Sequence, residues 1–129
     1  MASDEGVIDW DEAMQQCGDD EEFLRELLDD LRSETDTQME KMAEVLKTPD
    51  DSCFVQLMRA AHVIKGAASN LMCGQLRKGA ADLETLANTS SKEDKDYKDE
   101  ELMKSLKEKF EALEEAVKNY HEYLEKVDV

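Results

Sequence analysis

SCFVQLMRAAHVIKGAASNL, residues 52–71, is the stretch whose reading decides the fold. At an advance of about 100° per residue, Phe54, Leu57, Ala61, Ile64 and Ala68 fall on one narrow apolar stripe. The spacing predicts a helix that buries this stripe. His62 lies about 120° from the middle of the stripe on the same wheel, so it is expected to face outward. Gly66 follows one turn later on His62's own side, and Ser69 almost two turns later. Lys65 sits on the flank between core and solvent, three residues from His62, where the two side chains can meet.

The flanking sequence supplies the partners of that helix. A short helix is expected over residues 8–16, with Asp9 near its start and Gly18 after its end. Asp19 or Asp20 then caps a long helix over 20–47, whose stripe is Leu24, Leu27, Leu28, Leu31, Met39, Met42, Val45 and Leu46. TPDD, residues 48–51, breaks the pattern: Pro49 resists continuation, and Asp50, Asp51 or Ser52 can cap the next helix. Further helices are expected over 52–71, 74–88 and 98–127, with SSKEDKD, residues 90–96, as a charged loop. The last carries Leu102, Leu106, Phe110, Leu113, Val117, Tyr120, Leu124 and Val127 on one stripe. Short connections make successive helices antiparallel neighbours. The expected architecture is all-α: one domain over 1–129, an antiparallel up-down four-helix bundle with a short additional N-terminal helix.

Composition agrees and narrows the function. One proline and five glycines among 129 residues, with abundant Leu, Met, Ala, Glu and Lys, favour helix over sheet. A net charge of -17 argues against nucleic acid or an anionic membrane as partner, since phosphates are repelled at long range. No apolar run approaches the ~20 residues that span a bilayer, and no secretory segment follows Met1. Cys17, Cys53 and Cys73 are odd in number and lack CxxC spacing, which fits reduced, buried thiols in a cytoplasmic or nuclear protein.

The segment around His62 departs from this acidic background. From Ser52 to Asn88 the cations are Arg59, Lys65, Arg77 and Lys78 and the anions Asp82 and Glu84, a net +2 that leaves -19 for the rest of the chain. Such a surface suits an acidic pocket on a partner. Gly66 costs about 1 kcal/mol relative to alanine inside a helix. It leaves bare backbone beside the imidazole, which gives clearance to a group attached to the ring or to a docking partner. Lys65 then offers a mobile positive charge to phosphoryl oxygens. Taken singly, Gly66 also reads as an aid to close packing and Lys65 as a solvated flank. Together with His62 on one face they point to phosphoryl chemistry.

AHVIKGAASNLMCGQL, residues 61–76, resembles the signature of histidine-containing phosphotransfer (HPt) domains, whose core is H-x-x-K-G. The likeness extends along most of the chain. IDWDEAMQQCGDDEEFLRELLDDL, residues 8–31, is similar to the family's short helix, Gly-Asp turn and long second helix, and RKGAADLETLA, residues 77–87, to its fourth. The resemblance implies that His62 accepts a phosphoryl group from the aspartyl phosphate of a receiver domain in a hybrid histidine kinase and passes it to the receiver aspartate of a response regulator. It implies Lys65 as phosphate partner and Gly66 as the clearance position. Glu84 falls where the family has Gln or Glu facing the histidine. With a turn near residues 72–73, His62 and Glu84 lie at similar heights on antiparallel helices, about 15–18 Å from the turn. Glu84 can then hold Nδ1–H of His62 and leave Nε2 as nucleophile; it also reads as a plain surface carboxylate. The docking surface is expected to include Val55, Arg59, Ser69, Arg77 and Lys78 beside Gly66. One departure stands out: the family often has glycine ten residues beyond the histidine, and Met72 holds that place, which predicts a differently shaped turn and leaves partner preference open, while the phosphate-bearing segment matches.

In-line transfer needs positioning and charge neutralisation more than covalent help. No cofactor is expected in this chain; the magnesium ion is expected to come with the receiver. No P-loop or kinase signature occurs, so the chain reads as a carrier without ATP-dependent activity of its own. A monomer is expected, because the helical stripes are about as wide as a bundle interior requires. Two other classes stay open: an acidic helical scaffold that docks partners without carrying phosphate, as family members lacking the histidine do, and the phosphorylatable domain of a chemotaxis-type kinase, which requires dimerisation and ATP-binding domains downstream. A metal site is weaker, with His62 and His121 as the only histidines.

Overall fold

A computed structural model describes residues 6–129. Residues 1–5, which the single-domain expectation and the reading after Met1 also cover, lie outside the described residues. Five helices and no strand occur among those described: α1 (Trp10–Gln16), α2 (Glu21–Lys47), α3 (Cys53–Asn70), α4 (Gly74–Lys92) and α5 (Glu100–Lys126). Helices α2 to α5 form the all-α bundle, and α1 lies beside α2. The α3–α4 pair makes the most extensive contact.

Acidic residues start three of the helices. Asp9 accepts from the Glu12 amide, Asp20 from Phe23 and Asp99 from Glu101 and Leu102, each satisfying amides that the first turn leaves open. At α3 the expected cap does not form. Ser52 makes no side-chain cap, and Asp50 instead accepts from the Ser52 amide at 2.9 Å and its hydroxyl at 2.7 Å. These bonds hold the Asp50 carboxyl below its usual range.

Four helices end in one way. The residue after the C-cap takes a left-handed φ: Gly18 (66°), Met72 (58°), Asp94 (56°) and Asp128 (60°). The next amide then reaches back to a carbonyl five residues earlier: Asp19 to Met14, Cys73 to Ala68, Lys95 to Ser90, Val129 to Leu124. Met72 therefore keeps the left-handed turn that glycine would favour, at a steric cost of about 1–2 kcal/mol. Its carbonyl accepts from the Asp9 amide at 2.9 Å, which ties the N-terminal segment to the α3–α4 turn.

The apolar stripes meet in one core. Leu24, Leu28 and Met42 of α2, Leu57, Ala61, Ile64 and Ala68 of α3, Leu76, Ala80, Leu83 and Ala87 of α4, and Leu106, Leu113, Tyr120 and Leu124 of α5 are all buried. Burial of one large aliphatic side chain contributes about 1.5–3 kcal/mol. Gly79 is the close-packing residue: a Cβ there would lie 3.3 Å from Leu113 Cα, so its absence lets α4 approach α5. The Tyr120 hydroxyl donates to the Leu28 carbonyl at 2.6 Å and joins α5 to α2, and burial pushes its phenol far above the usual range. Cys17, Cys53 and Cys73 are free and buried; burial raises the Cys53 thiol and pushes Cys73 up to about 12.

Two expectations need correction. Helix α4 runs four residues past Asn88, into the stretch expected as loop. Ser90 is buried and donates its hydroxyl to the Leu86 carbonyl at 2.8 Å, so a polar residue closes the last turn from within. In α2 the middle of the buried face is polar. Thr35 and Gln38 are buried, whereas Leu27, Met39 and Val45 are only half-buried, as are Leu102, Val117 and Val127 of α5.

Candidate functional site

His62 stands near the middle of α3, on the side turned from the core by Leu57, Ala61, Ile64 and Ala68. Its side chain is 67% exposed. Helix α4 runs antiparallel beside it and brings Glu84 level with the ring. The Nδ1–H of His62 donates to Glu84 Oε2 at 2.6 Å. The second carboxylate oxygen, Oε1, is 2.5 Å from Nζ of Lys65. Only 16% of the Glu84 side chain is exposed. Burial pushes its carboxyl up, but hydrogen bonds from Lys65 and then His62, with their charges, outweigh that and hold it below the usual range. Nδ1 is thus committed. Nε2 has no hydrogen-bond partner among the described residues, on a side chain that is largely exposed.

Gly66 lies one turn after His62 on the same side of α3. A Cβ built there has nothing within 4 Å, so its surroundings are clear space and not a tight helix contact. Packing therefore does not account for the glycine. Lys65 was expected as a free phosphate partner; it is found on Glu84, with 34% of its side chain exposed. Ser69 donates its hydroxyl to the Lys65 carbonyl at 2.8 Å, so it is engaged with its own helix.

The remaining sequence candidates spread around this centre. Arg59, one turn before His62, is exposed and lines a groove of ≈ 660 Å³ between α2 and α3, together with Gln56, Val63, Lys41 and Val45. Val55 is half-buried on α3. Arg77 and Lys78 are exposed on α4, about 10 Å along its axis from Glu84. The Lys78 ammonium bonds to Asp82 at 3.2 Å, and Arg77 shares a small cleft with Ser69 and Asp9. Hence His62, Lys65, Gly66 and Glu84 form one cluster, Arg59 borders it, and Arg77 and Lys78 stand apart. Two features escaped the sequence reading. One is the Lys65–Glu84 pair. The other is Val63, 37% exposed beside His62, whose signal was an apolar residue lying off the core stripe.

No group of three or more metal-ligating side chains occurs among the described residues, and no described helix is long and apolar enough to cross a membrane.

A helical bundle that presents an outward histidine, oriented by a carboxylate from the neighbouring helix, has the form of a phosphoryl carrier. The family model for the Hpt domain matches residues 26–118, well over half of the chain and including His62, Lys65, Gly66 and Glu84. The chain belongs to the Hpt domain family. That membership gives it a phosphotransfer role in two-component relays and makes receiver domains of relay components its partners. Neither a curated protein nor a solved structure matches it.

Proposed function

We propose that His62 is the phosphorylated residue. Its Nε2 takes a phosphoryl group from the aspartyl phosphate of a receiver domain in a hybrid histidine kinase and returns it to the receiver aspartate of a response regulator. The observation that carries this reading is the division of the ring: Nδ1–H is bonded to Glu84 at 2.6 Å, while Nε2 has no partner among the described residues and Gly66, one turn on, has clear space around it. A hydrogen bond at Nδ1 fixes the tautomer and leaves the Nε2 lone pair for attack.

The groups around the ring supply positioning and charge. Glu84 orients the imidazole and supports the positive charge that the ring gains as the N–P bond forms. Lys65 neutralises the phosphoryl oxygens, and Gly66 gives them room. Arg59 and Val55 belong to the docking face, to which the α2–α3 groove contributes Val63. Arg77 and Lys78 extend the positive surface towards the N-terminal end of α4. The magnesium ion belongs to the partner receiver, and the carrier acts as a monomer without cofactor.

The test is incubation with a phosphorylated receiver domain, followed by mapping of acid-labile, alkali-stable label. Label on His62 is the expected result. Stable binding with no label on histidine would make the protein a scaffold.

A further inference from the structure

The carboxylate of Glu84 is shared. One oxygen takes the Nδ1–H of His62 at 2.6 Å and the other takes the Lys65 ammonium at 2.5 Å. Two tasks are thus assigned to Lys65 that it cannot perform equally at once. In the unloaded protein it neutralises Glu84; in the loaded protein it is needed by the phosphoryl group. We infer that Lys65 changes partner when His62 is phosphorylated, leaving Glu84 for the phosphoryl oxygens and returning to Glu84 when the group departs. The inference rests on His62 as the acceptor and concerns how that site is regulated.

Charge counting gives the direction. With a neutral ring, the carboxylate and the ammonium cancel. In the transfer step, the Nε2 lone pair forms the N–P bond as the P–O bond of the receiver's acyl phosphate breaks, its electron pair leaving on the aspartate. No proton moves, and Nδ1 keeps its hydrogen. The ring then carries one positive charge and the phosphoryl group about two negative ones. The imidazolium now faces Glu84 directly and can neutralise it alone. The phosphoryl group has no such partner, so the ammonium is better placed there. The geometry permits the move. Lys65 is one turn from His62 on a flexible stem and is partly exposed, and the space beside Gly66 is clear.

Glu84 therefore acts in two opposed ways. Through the ring it favours loading; through Lys65 it favours unloading, because loading breaks the Lys65–Glu84 pair. This keeps the site near balance, as a carrier that must both accept and give requires.

A double-substitution cycle on the transfer equilibrium with a phosphorylated receiver tests the exchange. The proteins are the unmutated chain, Lys65→Gln, Glu84→Gln and both together. If Lys65 leaves Glu84 on loading, Lys65→Gln reduces the loaded fraction more in the Glu84→Gln background than alone, by about three- to tenfold in the equilibrium constant. Removing the pair from the unloaded state strips away the part of the lysine's effect that opposed loading. An equal or smaller effect in that background overturns the exchange. A second measurement needs no substitution. The scalar coupling across the Lys65–Glu84 hydrogen bond, read by NMR at the ammonium nitrogen, is expected to vanish when phosphoramidate loads His62. Its persistence in the loaded protein overturns the exchange while leaving His62 as acceptor. Absence of label from His62 in the unmutated protein overturns the acceptor assignment itself.

Discussion

Both histidines of this chain bond to a carboxylate on a neighbouring helix, yet the two pairs differ in every respect that matters for chemistry. His62 donates from Nδ1 to Glu84 and leaves Nε2, the nitrogen farther from the backbone, without a partner among the described residues. His121 meets Asp36 through Nε2 at 2.9 Å, so its accessible nitrogen is already engaged. Glu84 is largely covered and also holds the Lys65 ammonium, whereas Asp36 is 52% exposed. One turn after His62, Gly66 leaves clear space on the same side of α3; the His121 ring stands edge-on to Tyr120, with centroids 6.4 Å apart. A histidine–carboxylate pair therefore does not define a site. The choice of nitrogen, the cover over the carboxylate and the space beside the ring do.

The strongest way to break the comparison is to exchange the roles. His62→Gln is expected to abolish labelling by a phosphorylated receiver, with a fold and melting temperature close to those of the parent, because the side chain is exposed. His121→Gln is expected to be labelled fully. Label that survives His62→Gln and maps to His121 would reverse the assignment.

Smaller effects should separate the neighbours of His62. Lys65→Ala is expected to lower transfer from the saturated complex about tenfold, less than the full weight of one charge-assisted hydrogen bond because the parent must break the Lys65–Glu84 pair on loading. Receiver affinity should fall much less, since docking energy concentrates in buried apolar or Arg anchors. Calorimetry and rapid quench on the same protein distinguish these; lost affinity with an unchanged rate would make Lys65 a docking residue. Gly66→Gln is expected to slow transfer about tenfold by crowding the ring. It should also keep or slightly raise stability, as glycine is the poorer helix former by about 1 kcal/mol. Equal transfer rates in variant and parent would remove the clearance role.

How much of this was legible in the sequence follows from which forces are local. The stripe through Phe54, Leu57, Ala61, Ile64 and Ala68 fixed the outward face of His62, because helical periodicity carries directly into burial. The four-helix order followed from short connections. What stayed hidden depended on contacts across helices. Ser90 looked like loop because serine favours turns, yet its hydroxyl closes a buried turn on Leu86. Thr35 and Gln38 occupy buried positions that a search for apolar residues passes over. Met72 suggested an altered turn, but the backbone bonds from Met72 and Cys73 back to Ser69 and Ala68 keep the left-handed ending in spite of the side chain. Glu84 could be placed level with His62 by counting from the turn. Its grip on Lys65 could not, since a flank lysine has several possible partners and only the α3–α4 spacing selects one.

The smallest effect compares the two carboxylates through the acid dependence of stability. The Glu84 carboxyl is held below its ordinary value of 4.5, burial being outweighed by the bonds from Lys65 and His62. A carboxyl depressed on folding stabilises the native state fully above its unfolded value. That contribution is lost as pH falls through the lower native value. Between pH 7 and 5 it is constant; below about 4.5 it declines. Glu84→Gln is therefore expected to cost about 1 kcal/mol at neutral pH, with much of the free energy of this pairing screened at the exposed His62 and Lys65 ends. The difference from the parent should shrink as pH falls below that value, because the parent then loses the same interaction. Asp36→Asn supplies the reference: it removes one partner of an exposed pair, worth about 0–1 kcal/mol. Urea melts at pH 7, 5, 4 and 3 on all three proteins give the comparison. A Glu84→Gln penalty that stays constant from pH 7 to 3 would mean that the carboxylate's charge contributes nothing to its hold on the ring and the lysine, and that Glu84 differs from Asp36 in position alone.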